Sequence, residues 1–170
     1  MALMRLPATQ DEAAVSISTK CAAGSGVIVG RHTILTALHV INDCDSRDIT
    51  ITKSNGKTYS VTAEAALAID IARLHVEEDL LISSVTIDKA KVGEKLCSAP
   101  VVPSRGRSCG EVTSVGDGDS EIIFTGKVEP GNSGSGMYNS RGHLVGIVTR
   151  RFLDSDGGTG SQIPKWFADD

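Results

Sequence analysis

Short runs rich in Val, Ile and Thr recur along this chain, and each is cut off within a few residues by Gly, Asn, Asp or Ser. Gly26-Val27-Ile28-Val29, Thr33-Ile34-Leu35 and Leu144-Val145-Gly146-Ile147-Val148-Thr149 show the pattern. Runs of this length are too short for helices, and β-branched side chains suit a pleated surface. Helical periodicity is nearly absent, so the 170 residues are expected to fold as an all-β chain with a substantial core. Eighteen glycines supply the turns that many short strands require. Candidate strands lie near 13–19, 24–30, 32–36, 47–53, 57–66 and 71–76, and again near 94–99, 109–115, 120–127, 136–139, 143–151 and 159–163. Ser54-Asn55-Gly56 and Gly116-Asp117-Gly118-Asp119 read as hairpin turns. The segment 77–92, with its Glu77-Glu78-Asp79 run, reads as a solvated connection carrying a short strand, and Pro164-Lys165-Trp166-Phe167 as the start of a short helix.

Several function classes fall away at this level. A net charge of −4 leaves no basic footprint for nucleic acid. No apolar run approaches membrane-spanning length, so no membrane partner is expected. The start, Met1-Ala2-Leu3-Met4-Arg5-Leu6-Pro7, lacks the apolar stretch and cleavage site of a secretory signal. The expectation is a cytoplasmic protein, bacterial or encoded by a virus or phage, or a secreted one already trimmed. No Cys-x-x-Cys or His-x-x-x-His spacing occurs, so neither a metal nor another cofactor is expected.

The chemistry concentrates in Glu129-Pro130-Gly131-Asn132-Ser133-Gly134-Ser135-Gly136, just before an apolar strand. A serine between glycines on a tight turn exposes its hydroxyl and leaves neighbouring backbone N–H groups free. Acyl transfer needs both, a nucleophile and donors for the oxyanion. Alone, such a cluster is more often an ordinary turn. Upstream, Thr36-Ala37-Leu38-His39-Val40 follows a strand-like run, and Ile69-Asp70-Ile71-Ala72-Arg73-Leu74 sets one acid at the head of an alternating segment. A base and an acid then precede the serine in the order His, Asp, Ser, one of several orders in which this triad occurs.

These motifs resemble those of the chymotrypsin-like (trypsin-like) serine proteases in their small bacterial or viral form. Thr36-Ala37-Leu38-His39 is similar to the family's Thr-Ala-Ala-His, Asp70-Ile71-Ala72-Arg73-Leu74 to Asp-Ile-Ala-Leu-Leu, and Gly131-Asn132-Ser133-Gly134-Ser135-Gly136 to Gly-Asp-Ser-Gly-Gly. The serine motif is nearer in wording to glutamyl endopeptidases, exfoliative toxins and HtrA-type proteases than to digestive trypsins. Leu144–Thr149 resembles the strand that follows the nucleophile and lines the cleft. The resemblance runs from about residue 12 to about 167. It implies one chymotrypsin-like domain over 1–170: a first barrel at about 12–76, a connection at 77–92 and a second barrel at about 93–167. The fold class is then two packed six-stranded antiparallel β-barrels with a short C-terminal helix and the active site in the cleft between them.

The resemblance also assigns roles. Ser133 would be the nucleophile, His39 its general base, and Asp70 the acid that orients the imidazole. The Gly131 and Ser133 N–H groups would form the oxyanion hole. Ser135 is a rival nucleophile, two places late. His32, His75 and His143 read as half-exposed strand residues, and Asp43, Asp45 and Asp48 as solvated turn residues. Digestive trypsins are activated when a new N-terminus pairs with the acid before the serine; here that position is the uncharged Asn132, implying a site formed without such cleavage. The substrate would be a polypeptide, paired along the backbone of Thr149 and Arg151. The specificity pocket would use Lys127 and Val128 at its floor, Thr149, Arg150 and Arg151 along its wall, and the Gly157–Ser161 segment opposite. No acid occupies the place that selects Lys or Arg. An inward Lys127 or Arg151 would favour an acidic P1 residue; Val128 and Thr149 alone would favour a small apolar one. A catalytically silent peptide-binding module of the same fold is the alternative to an endopeptidase. Four cysteines permit three connectivities; the resemblance suggests Cys21 with Cys44 as a displaced form of the bridge beside the histidine, Cys97 and Cys109 could face each other across a hairpin, and four reduced thiols are the alternative to any bridge.

Overall fold

A computed structural model describes residues 10–42, 48–66, 70–81, 85–99, 108–116, 121–126, 132–151, 157–164 and 167. After a single turn of helix, α1 (Gln10–Ala13), seven strands make one sheet: β1 (Ala14–Ser18), β2 (Ala23–Ile28), β3 (Thr33–Thr36), β4 (Thr50–Lys53), β5 (Thr58–Ser60), β6 (Ala63–Ala66) and β7 (Ala72–His75). A second short helix, α2 (Leu38–Asn42), follows β3. Six more strands close a barrel: β8 (Lys95–Ala99), β9 (Ser108–Val115), β10 (Glu121–Phe124), β11 (Gly136–Tyr138), β12 (Leu144–Arg151) and β13 (Gly158–Gln162). The two helices have four and five residues, too few for a periodicity to register in sequence.

The expected double-barrel architecture is present with two differences of detail: only the second unit closes into a barrel, the first being a curled sheet, and that sheet has one strand more than expected. The stretch read as one strand over 57–66 breaks at Val61-Thr62, so the first unit has seven strands rather than six. Its halves pair with different partners, β5 with β4 and β6 with β7. At the break, Val61 N–H donates to Ile49 O at 3.2 Å and Thr62 N–H to His75 O at 2.9 Å. The sheet order is β5-β4-β1-β2-β3-β7-β6. Its two end strands are therefore only two residues apart along the chain, which forces the sheet to curl round on itself. The Ser54-Asn55-Gly56 turn forms as expected, with Gly56 at φ 89°. Asp117–Asp119 and most of the expected C-terminal helix lie outside the described residues; Phe167 N–H closes a turn onto Pro164 O at 3.0 Å.

Three apolar clusters account for the packing. Val15, Ile17, Ile28, Ile34, Ile51 and Leu74 fill the first unit, and Leu96, Val112, Ile122, Phe124, Met137 and Val148 the second. Between them lies a third cluster, with Val27, Leu35 and Ile71 from the first unit and Leu144, Ile147 and Phe167 from the second. Strand β3 is buried at all four positions because its faces serve two cores, Ile34 one and Leu35 the other. Burial of this kind removes the polar alternation of a one-sided strand.

The connection between the units is bound to both. Leu80 N–H donates to Arg31 O at 2.7 Å, and Arg31 Nη2 lies 2.6 Å from Asp79 Oδ2. Further on, Ile87 bridges Leu144 in parallel, the short strand contact expected there. Asp88 then closes onto the β11–β12 hairpin: its Oδ2 accepts from Asn139 Nδ2 at 3.0 Å and from His143 Nδ1 at 3.2 Å, with Arg141 Nη2 at 3.6 Å. The Lys89 backbone N–H, the His143 and Asn139 hydrogen bonds and the Arg141 charge outweigh partial burial and hold the Asp88 carboxyl down at about 2. A carboxyl depressed in the folded state stabilises it above the unfolded value, and that contribution is lost as pH falls through about 2. Asp88→Asn is therefore expected to melt below the wild type at neutral pH. The gap in Tm should shrink between about pH 4 and pH 2, where the wild-type carboxyl also becomes neutral; thermal melts across that range check it.

Candidate active site

His39 and Asp70 come together through strand register. Thr36 at the end of β3 pairs with Ala72 at the start of β7, so the residues just after one strand and just before the other are neighbours. Val40 and Ile41 anchor α2 in the first core, while the His39 side chain stays 41% exposed. Asp70 grips this histidine with both oxygens. Its Oδ1 accepts the His39 backbone N–H at 2.9 Å, and its Oδ2 lies 2.7 Å from His39 Nδ1. A carboxylate can only accept, so this contact places a proton on Nδ1; the neutral ring in that tautomer has its Nε2 lone pair open to take a proton.

Ser133 belongs to the second unit but is fastened to the first. Its carbonyl accepts the Ser25 N–H from β2 at 2.9 Å. The turn closes with Ser135 N–H on Asn132 O at 2.9 Å, and is held beside β12 by Gly134 N–H to Val148 O at 2.8 Å and Val148 N–H to Ser135 O at 2.9 Å. Gly134 has φ 93°, and a Cβ there would collide with the Ser25 carbonyl oxygen. Gly24 plays a matching part: a Cβ would stand 2.8 Å from the Val40 methyls and 3.2 Å from Ser133 O. Bare backbone thus lets the serine turn, β2 and the histidine helix converge. The Ser133 hydroxyl donates to Thr149 O at 3.3 Å, and among the described residues no hydrogen bond joins it to His39.

The remaining expected residues divide clearly. Ser135 is completely buried with an unpartnered Oγ, so it offers nothing to a substrate. Thr149 is buried, and its Oγ1 meets Thr159 Oγ1 at 2.8 Å. The Arg150 side chain is exposed. Lys127, Val128, Gly131, Asp43, Asp45 and the side chain of Arg151 lie outside the described residues. Asp48 is exposed beside Lys20 at 3.8 Å. His32, His75 and His143 are each half-buried; His143 serves Asp88 and the other two rings lie 5.8 Å apart. Cys97 and Cys109 face each other in the β8–β9 register and are joined as a disulfide. Cys21 is also disulfide-bonded, while Cys44 lies outside the described residues. Sequence reasoning missed Ser25; the only signal was its place between Gly24 and Gly26, where bare backbone permits close approach.

The trypsin-like peptidase domain model matches residues 24–147, which include His39, Asp70 and Ser133. The chain belongs to this family. The trypsin-like domain is 27% identical over 166 residues to exfoliative toxin A of Staphylococcus aureus, covering 79% of this chain and 58% of the toxin. It is 27% identical over 158 residues to the serine protease Do-like HtrA of Lactobacillus helveticus, covering 80% of this chain and 37% of that protein. It thus spans less than two thirds of the length of both. Among solved structures, the Rv3671c protease in an inactive form matches with a TM-score of 0.73 at 19% identity, over 90% of this chain and 84% of that one. A serine-to-alanine mutant of Rv3671c from M. tuberculosis, also inactive, gives 0.72 at 19% identity, over 90% of this chain and 82% of that one. These structural likenesses carry the chymotrypsin-like double-barrel fold.

Gly134 gives this site its sharpest structural test. Gly134→Ala adds a left-handed backbone cost of about 1–2 kcal/mol to the collision with Ser25. The variant is expected to melt lower than the wild type and to lose labelling by a fluorophosphonate probe. Gly142→Ala, also at positive φ (78°) but with only the Gln10 side-chain amide, at 3.9 Å, near its Cβ, should keep that labelling.

Proposed function

We propose that this trypsin-like domain is a serine endopeptidase that hydrolyses peptide bonds through an acyl-enzyme. The observation that carries the reading is the two-oxygen grip of Asp70 on His39, which engages Nδ1 and leaves Nε2 as the ring's other nitrogen, on the unit that Ser25 ties to Ser133. Ser133 Oγ attacks the scissile carbonyl as His39 Nε2 takes its proton. The oxyanion is met by the N–H groups of Ser133 and Gly131. His39 then passes the proton to the leaving amine as the C–N bond breaks, and water repeats the sequence to release the acid. Asp70 keeps the ring in one tautomer and stabilises the imidazolium. Asn132 is neutral and buried, which supports a site formed without an N-terminal ion pair.

An extended peptide would lie along the backbone of Thr149 and Arg151, with its P1 side chain entering a pocket bounded by Lys127, Val128 and Thr149. An acidic P1 needs Lys127 or Arg151 turned inward; a small apolar P1 needs only Val128 and Thr149. The exposed Arg150 contributes to neither. The catalytically silent module is the second reading, and the Ser133–Thr149 bond in place of a Ser133–His39 bond is the observation that favours it.

Ser133→Ala and His39→Ala are each expected to lower turnover by roughly 10⁴-fold or more, and the double variant to lose little beyond either. Asp70→Asn should be severe but milder. Fluorophosphonate labelling of the wild type that vanishes in Ser133→Ala supports the endopeptidase, whereas an unlabelled wild type points to the silent module. A P1-scanning peptide library separates the two pockets. Cleavage after Glu or Asp that weakens in Arg151→Ala indicates the charged one, cleavage after Ala, Val or Leu the apolar one, and efficient cleavage after Lys or Arg contradicts both.

A further inference from the structure

Strand β12 does not run evenly along β13. Val148 pairs with Gly160 and Arg150 with Thr159, so Thr149 is an extra residue without a register partner. An extra residue bends a strand and re-aims its groups, often beside a functional site. Here the Thr149 carbonyl is turned to the Ser133 hydroxyl, 3.3 Å from Oγ. The same residue is held from behind: its side chain is buried, and its hydroxyl meets that of Thr159 at 2.8 Å. One bulge therefore carries both the group that holds the serine and the group that anchors the bulge to the neighbouring strand.

We infer that the Thr149–Thr159 hydroxyl pair is a positioning device for the nucleophile: it fixes the Thr149 carbonyl as an acceptor used in turn by Ser133 in the free domain and by a substrate backbone N–H in the complex. This rests on the endopeptidase reading. In the free domain the serine proton is spent on Thr149 O and is unavailable to His39. A peptide laid along β12 brings an N–H to that carbonyl. The serine hydroxyl is then released, rotates about its Cα–Cβ bond and reaches His39. At 3.3 Å the bond is longer than the usual O–H···O distance, so it restrains the serine only weakly. Exchange for a peptide N–H is correspondingly easy. Thr159 belongs to the Gly157–Ser161 segment expected opposite the pocket wall, but its hydroxyl is turned to Thr149 Oγ1, so in this scheme it acts on the serine through the bulge.

Two readouts move in opposite directions if this is right. Diisopropyl fluorophosphate has no N–H and must take the serine from its resting bond, whereas a peptide displaces that bond itself. Thr159→Val keeps the side-chain shape and removes the hydroxyl, loosening the carbonyl. It is expected to be phosphorylated at Ser133 about 2- to 10-fold faster than the wild type, while kcat/KM for a peptide falls by about as much, mainly through KM. Thr159→Ser restores the hydroxyl and should behave as the wild type in both assays. Loss of both rates together, no change in either, or a Thr159→Ser variant that behaves like Thr159→Val would overturn the inference. Should Thr159→Val fail to fold, wild-type protein tests the same point with a substrate in which an ester oxygen replaces that N–H: an unchanged kcat/KM overturns the inference, and a loss of about 2- to 10-fold supports it. A wild type that neither cleaves peptides nor reacts at Ser133 removes the endopeptidase reading itself, and the inference with it.

Discussion

A backbone hydrogen bond, Ser25 N–H to the Ser133 carbonyl, joins the two halves of the candidate site. The histidine and its acid belong to the first unit and the serine turn to the second. Their relative placement is no better than the placement of one unit on the other. A bond at 2.9 Å between main-chain atoms sets that placement without depending on any flexible side chain. It forms only because Gly134 presents no Cβ to the Ser25 carbonyl and Gly24 presents none to Val40. The Thr36 hydroxyl, donating to that same Ser25 carbonyl at 2.8 Å, satisfies an acceptor that the close approach would otherwise strand.

Apolar packing maintains what this bond aligns. The cluster between the units joins Val27, Leu35 and Ile71 to Leu144, Ile147 and Phe167, so sliding one unit against the other would expose large side chains to water. Ile71 follows Asp70 directly, and its burial in that cluster anchors the acid's backbone. Two crossing segments add to the hold. Asp88 fastens the connection to the β11–β12 hairpin, and the C-terminal end returns to the first unit, where Arg73 donates to Phe167 O at 3.2 Å and lies 4.8 Å from its ring centre. Each of the two elements beside Ser133 thus has a second anchor, β12 in the inter-unit core and the serine turn on β2.

Much of this was legible before any coordinates. The strands of the second barrel fall where candidate strands stand in the sequence, although only β9, β10 and β12 are rich in Val, Ile or Thr; turn formers bound the others. His39 and Asp70 stood out through their neighbours, Thr36-Ala37-Leu38 and Ile71-Ala72-Arg73-Leu74, and through their order before the serine motif. The first unit was read less well at one place, Val61-Thr62, where nothing in composition marks the corner; two long-range hydrogen bonds to Ile49 and His75 create it. The helix α2 was missed because five residues carry no periodicity, and what holds them helical is the burial of Val40 and Ile41. Ser135, two places after Ser133 and chemically identical, stood second by its place in the motif, and burial takes it out of reach.

Local order along the chain thus determined the all-β class and the strand sites, and singled out His39, Asp70 and Ser133 as candidates, since each is written in runs of a few neighbours. Tertiary structure decided what depends on distant partners. It paired Asp70 with His39 through the β3–β7 register, buried one serine and presented the other, and spent the Ser133 hydroxyl on the Thr149 carbonyl. It also joined Cys97 to Cys109. These contacts join residues 12 to 31 positions apart, which a local pattern cannot encode. Only curling of the first sheet and closure of the second barrel, driven by burial of their apolar faces, bring them together.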